Sequence, residues 1–247
     1  MPLRKRARAS AREPSRSPAI GVFARAAVAG RAKTRLMPLL GPAGAAELQA
    51  ALILDTTRKV SQLSGATATW LFWAGGACPE FPQRSQWTLA PQRGRDLGAR
   101  LDHAFRGLLR VHSAAVIVGT DSPMLAPRVL RQALGELRVC EAVLGACPDG
   151  GFYLIGLRRT VPGIFRGVRW GTRFAFREMR RNLAAAGLAC SVLGAIPDVD
   201  RPPDLLVLAR RLYDEPFGRR LAPALWQFVK TRRLALAPPV KRNGARR

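Results

Sequence analysis

The chain has 247 residues, of which 48% are hydrophobic, 23% charged and only 7% aromatic. That length and apolar content suffice for a sizeable buried core, which excludes a wholly disordered chain, and the absence of any repeat excludes a collagen-like or mucin-like one. With 41 Lys+Arg against 16 Asp+Glu the formal net charge is +25, a basic balance that attracts nucleic acid, acidic lipid or phosphorylated small molecules without distinguishing among them.

The charge is unevenly placed. Residues 1–17 carry six basic groups against Glu13, and residues 230–247 carry seven and no acid. Only five of the 41 basic residues are lysine, which, with the Ala, Gly and Pro excess, reads as much like the imprint of a GC-rich genome as selection for a partner. Nucleic acid is therefore not the expected partner. Residues 1–17 lack the apolar core of a secretory signal, and no apolar run approaches the length of a membrane-spanning helix. Cys78, Cys140, Cys147 and Cys190 form no CxxC pair, so neither a zinc ribbon nor a thioredoxin-type pair is written here. His103 and His112 are the only histidines, so a metal must be held by oxygen. The expected compartment is the cytoplasm, with reduced thiols.

In chain order, residues 19–24 form an apolar run suited to a buried strand and empty into a Gly- and Arg-bearing loop. Residues 42–63 have helical spacing. Residues 67–74, rich in β-branched and aromatic types, read as a strand, residues 87–90 as a weaker one, and 97–111 as a helix. A buried strand over 114–120 precedes a helix over 127–139 that begins with proline. Strands at 142–146 and 152–157 flank Asp149-Gly150-Gly151. A helix over 173–186 ends at Gly187 in the C′ role, followed by a strand over 189–196 and a helix over 202–213. Strands alternating with helices predict a mostly parallel central sheet with helices on both faces in one α/β domain, 18–215. Flanking it are a basic extension, 1–17, and a short helix with a basic tail, 216–247.

In such sheets ligands bind beyond the carboxyl ends of the strands, and five connections there carry the chemistry. The first holds Gly30 for a tight turn and Arg31, Lys33 and Arg35 for a di- or triphosphate, or is simply a solvated basic loop; it is not a Walker A loop, because Ala32 stands before the lysine. Asp121, in Gly119-Thr120-Asp121-Ser122-Pro123, can hold Mg²⁺ or Mn²⁺ against phosphates or cap a turn. Asp149-Gly150-Gly151 brings backbone near a ligand, or makes a hairpin turn. Asp198-Val199-Asp200 places two carboxylates on one side of an extended segment, unless one of them caps the next helix. Arg93 and Arg100 can face an anionic substrate, whereas Asp96 is weighed as a helix cap ahead of a ligand.

The ordered strings FARAAVAGRAKTRL, QRGRDLGARL, GTDSP, DGGFYLIGL, RWGT and DVDRPPDL resemble a bacterial family of transferases with the glycosyltransferase-A fold, of the type labelled arsenosugar-biosynthesis glycosyltransferases. Its Rossmann-like fold is shared with the molybdenum cofactor and 2-phospholactate guanylyltransferases. The resemblance implies that Gly30, Arg31, Lys33 and Arg35 bind nucleotide phosphates and that Asp121 and Asp200 hold the divalent metal; Arg93 and Asp96, from their own loop, are placed with the phosphate-binding residues. It also implies that Asp149, Gly150 and Gly151 meet the transferred group or acceptor near Trp170 and Thr172. Ala27 and Ala29 stand where the family has prolines, Met124 where an acid is common, and Arg201 and Pro203 where Thr and Glu are usual. The function so implied is metal-dependent transfer from a nucleotide-activated sugar to an unidentified acceptor, with Asp149 as base and Lys33 stabilising the leaving group. The alternatives are nucleotidyl transfer from an NTP, and non-catalytic binding of nucleotide or nucleic acid.

Overall fold

In the computed structural model, which describes residues 17–234, the apolar runs form the centre of a seven-stranded sheet. The strands are β1 (Ala19–Arg25), β2 (Ala68–Ala74), β3 (Thr88–Pro91), β4 (Ala115–Gly119), β5 (Ala142–Ala146), β6 (Phe152–Leu157) and β7 (Cys190–Leu193), ordered β3-β2-β1-β4-β6-β5-β7. β1 is an interior strand and pairs in parallel with both β2 and β4, with Val22 opposite Leu71 and Val118. β6 alone runs antiparallel, between β4 and β5. The sheet is thus mostly parallel, as the alternation of strands and helices predicts. The turn at 149–151 is at once the hairpin link of β5 and β6 and a loop at the carboxyl end of β5.

The helices are α1 (Met37–Ser61), α2 (Leu97–Leu109), α3 (Pro127–Glu136), α4 (Ala175–Ala185), α5 (Pro202–Asp214), α6 (Pro216–Leu221) and α7 (Pro223–Thr231). Both sheet faces are covered. On one, Ile20, Val22 and Val116 pack with Ile53 and Val60 of α1 and Leu130 and Ala133 of α3. On the other, Ala19, Ala115 and Ile117 pack with Leu101 and Phe105 of α2 and Met179 and Leu183 of α4. A third cluster joins the first half of α1 to α5 and α7 through Leu48, Leu52, Leu205, Leu212 and Leu225. Residues 216–234 therefore add two short helices to the core; the basic segments 1–16 and 235–247 lie outside the described residues.

Local chemistry sets the ends of these elements. Asp96 is the N-cap of α2 and accepts from the Ala99 N–H at 2.8 Å, as its weighing as a cap expected. Gly187, at φ 66°, follows α4 in the left-handed conformation that glycine supplies at a helix end. The N-cap of α5 is Arg201, whose N–H is accepted by Asp204 at 2.7 Å. Neither Asp198 nor Asp200 is spent on capping, so both remain available to the cleft. Residues Thr34–Ser61 are long and apolar enough by composition to cross a membrane, a segment that the reading of apolar runs passed over. In this fold α1 is a core helix, carrying buried Gln49, Asp55 and Lys59, each with a hydrogen-bond partner.

Candidate functional site

A cleft of about 670 Å³ opens beyond the carboxyl ends of β1, β4 and β5. Arg31, Lys33 and Arg35 line it from the first loop, and Asp121, Asp149, Asp198 and Asp200 from the connections after the strands. Phe152, Trp170, Gly171 and Thr172 form another part of the wall. Five separate stretches of sequence thus meet at one place, because a parallel sheet sends the carboxyl ends of successive strands to the same edge.

Lys33 is the hub. Its backbone is left-handed at φ 47°, ψ 45°, a conformation that costs a non-glycine residue energy and gathers at functional sites. Gly30, at φ 77°, turns the chain just before it. The Lys33 ammonium is 5% exposed and donates to Asp121 Oδ1 at 2.8 Å and to the Val199 carbonyl at 2.6 Å. The Val199 N–H donates to the Asp121 carbonyl at 2.8 Å. One side chain and one backbone bond therefore fasten the loops after β1, β4 and β7 together. Arg35 pairs with Asp200, and that hydrogen bond, followed by the charges of Asp200, Asp149 and Asp198, raises the guanidinium pKa. Behind Asp121, buried Gln49 of α1 donates to Thr120 Oγ1 at 3.2 Å, and Thr120 in turn donates to Asp121 Oδ1 at 3.2 Å.

The acidic side of the cleft is crowded. Asp198 is pushed up to about 6, first by burial and then by the neighbouring charge of Asp149, with Asp121 and Asp200 adding to it. Cys147 Sγ and carboxylate oxygens of Asp149 and Asp198 lie within 4.8 Å of one another. Burial, then the charges of Asp198 and Asp149, drive the Cys147 thiol up to about 12, so without a cation it keeps its proton at neutral pH. Crowded carboxylate oxygens fit a hard divalent cation such as Mg²⁺ or Mn²⁺.

Asp149 Oδ1 accepts from the Gly151 N–H at 2.8 Å. Gly150, at φ 90°, lies so close to Arg173 that a Cβ there would sit 2.1 Å from the Arg173 carbonyl oxygen; only glycine allows this approach. The Gly150 carbonyl also accepts from the Phe176 N–H at 3.0 Å, which stitches the Asp149 loop to the start of α4. Of the residues singled out in the sequence, Lys33, Arg31, Arg35, Asp121, Asp149, Gly151, Trp170, Thr172 and Asp200 line the cleft, with Gly30 and Gly150 shaping its loops. Arg93 and Asp96 are not among its lining residues, whereas their neighbours Gln92 and Arg100 are. Asp198 was legible as half of the Asp-x-Asp pair, yet its burial was not. Gln49, on a helix far off in sequence, gave no signal.

Residues 53–172 match a bacterial family. Its description is "Uncharacterized protein conserved in bacteria (DUF2064)". The matched stretch contains four of the six motif strings; the first loop and the DVDRPPDL segment lie outside it. A solved structure from Desulfovibrio desulfuricans G20, described provisionally as a nucleotide-diphospho-sugar transferase, is 27% identical with a TM-score of 0.75, covering 88% of this chain and 98% of that one. A CMP:2-keto-3-deoxy-manno-octonic acid synthetase solved with CTP is 14% identical with a TM-score of 0.51, covering 80% of this chain and 99% of its own; this likeness shows the fold alone. No curated protein matches. The motif resemblance thus agrees with the match of residues 53–172 to a bacterial family, and the α/β fold is shared with the Desulfovibrio structure.

Proposed function

We propose that the cleft binds a nucleotide-activated substrate and that the protein is a metal-dependent transferase, passing a sugar from a nucleoside diphosphate to a small acceptor. The observation that carries this reading is the convergence of Arg31, Lys33 and Arg35 with Asp121, Asp149, Asp198 and Asp200 on one cavity. Cations set among carboxylates suit a phosphate chain with its counter-ion, whereas a surface that merely attracted polyanions would not set carboxylates among its cations.

Asp121 and Asp200, joined by Asp198, are the residues that would hold a divalent cation, which when bound would neutralise charge on phosphate oxygens. Lys33 and Arg35 now pair with Asp121 and Asp200; on binding they exchange those carboxylates for phosphate oxygens and stabilise the leaving group. Arg31 extends from the same loop to the same chain of phosphates. Asp149 has one oxygen engaged by the Gly151 N–H, which orients the other toward the acceptor. As the acceptor oxygen bonds to the transferred group, its proton passes to Asp149 and the nucleotide departs with the bonding electrons. The three cations on one short loop equally suit a triphosphate. That observation favours nucleotidyl transfer, with pyrophosphate leaving, as the second reading.

Thermal stabilisation by NDP-sugars and NTPs, each with and without Mn²⁺, tests both readings. A ligand at 100 times its Kd stabilises by about 2.7 kcal/mol, or about 5–10 °C for a chain of this size. The expected result is a Mn²⁺-dependent shift with one NDP-sugar that Asp121→Ala abolishes and Lys33→Ala weakens. Preference for an NTP selects the second reading. No shift with any nucleotide overturns both.

A further inference from the structure

We propose that Arg173 and Arg177, gathered on the ring of Phe174 in the segment whose Thr172 and Ala175 line the cleft, bind an oxyanion carried by the acceptor, so that the acceptor is a small hydroxyl compound bearing a phosphate or carboxylate. This deepens the transferase reading and rests on it. Three guanidinium groups surround one ring: Arg169 at 4.0 Å from the centroid, Arg173 at 5.0 Å and Arg177 at 5.5 Å. Arg169 is neutralised. Glu178 Oε1 accepts from its Nε at 2.6 Å and Glu178 Oε2 from its backbone N–H at 2.8 Å, and these bonds hold the Glu178 carboxyl below its ordinary pKa. Both oxygens of Glu178 are therefore committed to Arg169, and it is the only acid between residues 158 and 181, a stretch with eight arginines.

Arg173 and Arg177 are exposed, and no ion pair joins either of them to a described carboxylate. They stand four residues apart, where like charges repel, and the ring between them holds both through its face. Two unpaired guanidinium forks on one rigid platform form a receptor for an oxyanion, which each fork can meet with two parallel hydrogen bonds.

Position ties this receptor to the acceptor rather than to the nucleotide. The Arg173 carbonyl is the group against which Gly150 packs, and Phe176 donates to the Gly150 carbonyl. The platform is thus fixed to the loop that presents Asp149, the base assigned to the acceptor hydroxyl. The nucleotide cations Arg31, Lys33 and Arg35 come from the loop after β1 instead.

Binding of glycerol 3-phosphate, glycerate and glycerol, followed by calorimetry at low ionic strength without divalent cation, tests the proposal on wild type, Arg177→Gln, Arg173→Gln/Arg177→Gln and Lys33→Ala. Glycerol 3-phosphate or glycerate is expected to bind, and whichever is tighter names the oxyanion; glycerol is expected not to. The double variant should weaken that binding at least ~10-fold, as loss of charge-assisted bonds requires, and Arg177→Gln, on the exposed helix surface, should weaken it less. Four results would overturn the proposal: no binding of either anion to wild type, equal binding to the double variant, loss in Lys33→Ala in place of the double variant, or wild type binding a single-stranded oligonucleotide through these arginines but neither small anion. The Mn²⁺-dependent nucleotide shift, measured in parallel, separates the two readings. Its absence in wild type defeats the nucleotide site, whereas its presence without anion binding defeats this proposal alone.

Discussion

Asp198 shows most directly how a side chain can be costly to the fold and useful to the site. Its carboxyl titrates near 6 rather than 3.8, chiefly because it is buried and next because Asp149 shares its space. A carboxyl whose folded pKa lies above its unfolded value weakens the protein as pH rises: the penalty is absent below about pH 3.8 and complete above about pH 6. In EDTA at pH 7.5, Asp198→Asn should therefore raise stability by about 1–2 kcal/mol, discounted for the group's partial exposure, or about 2–8 °C in Tm. At pH 4 the variant and wild type should melt together. With Mn²⁺ the sign reverses, because wild type gains a cation-dependent shift that the variant loses in whole or part. Thermal melts at the two pH values, with and without Mn²⁺, check all three statements. Much of this site was legible in sequence: the cation triad of the first loop, Asp121 after the strongest strand, and Asp149 and Asp200 in their loops. The roles of Asp198 and Cys147 were not, because they depend on burial and on how closely three loops approach. Arg93 and Asp96 show the converse. Asp96, weighed as a cap ahead of a ligand, is spent on the Ala99 N–H, and Arg93 does not line the cleft.

Among the elements, α1 does the most to connect core and cleft. The sequence reading began this helix at Pro42, and the structure bears that out: Gly41, at φ 69° and ψ 170°, breaks the helical path just before it. Beyond the break, one turn after another supports a different neighbour. Gln49 reaches Thr120, Lys59 donates to the Pro123 carbonyl at 2.5 Å, and Asp55 accepts from the Ala224 and Leu225 N–H groups at 3.0 and 2.9 Å. Asp55 is thus a cap for α7 supplied from another helix, a role that no local pattern could announce. Asp55→Ala leaves those two N–H groups unpaired and should cost about 1–3 kcal/mol, seen as a lower Tm and faster proteolysis near residue 222. Lys59 carries its own pH signature. Burial lowers its pKa to about 8 against the opposing pull of Asp55, so the folded state sheds this proton before the unfolded chain does. Stability from this group therefore rises between about pH 8 and 10.5, by about 3 kcal/mol in all. The difference in unfolding free energy between wild type and Lys59→Met isolates that gain, because the thiols and Tyr153 titrate in both. It should grow in favour of wild type over that interval; a flat difference would show that Lys59 is not the group responsible.

For the molecule as a whole, the decisive quantity is where the charge of +25 resides. The sequence reading set the carboxyl-terminal basic tail at 230–247, yet the fold continues to residue 234. Arg232 pairs with Glu47 at 2.7 Å and lies over Gly44 of α1, and Leu234 is buried in the third cluster. Those contacts join residues 232–234 to the first helix, so they could not be seen from a local run of basic residues. They also separate two consequences of the basic composition. A chain trimmed to residues 17–234 keeps every contact described here and should melt within about 1 °C of the full chain, with its Mn²⁺-dependent nucleotide shift intact. It loses Arg4, Lys5, Arg6, Arg8, Arg12 and Arg16 at one end and Lys241, Arg242, Arg246 and Arg247 at the other, so it should elute from heparin at lower salt. Trimming five residues further, to 17–229, removes the Arg232 pair and the buried Leu234 side chain. Burial of a leucine alone is worth about 1.5–3 kcal/mol, so this second chain should melt about 3–10 °C lower. If the two trimmed chains melted together, α1 and α7 would not depend on the last turn that the structure places between them. If instead the first trimming abolished the nucleotide shift, the terminal arginines would belong to the cleft, and the phosphate site could not be built from the first loop alone.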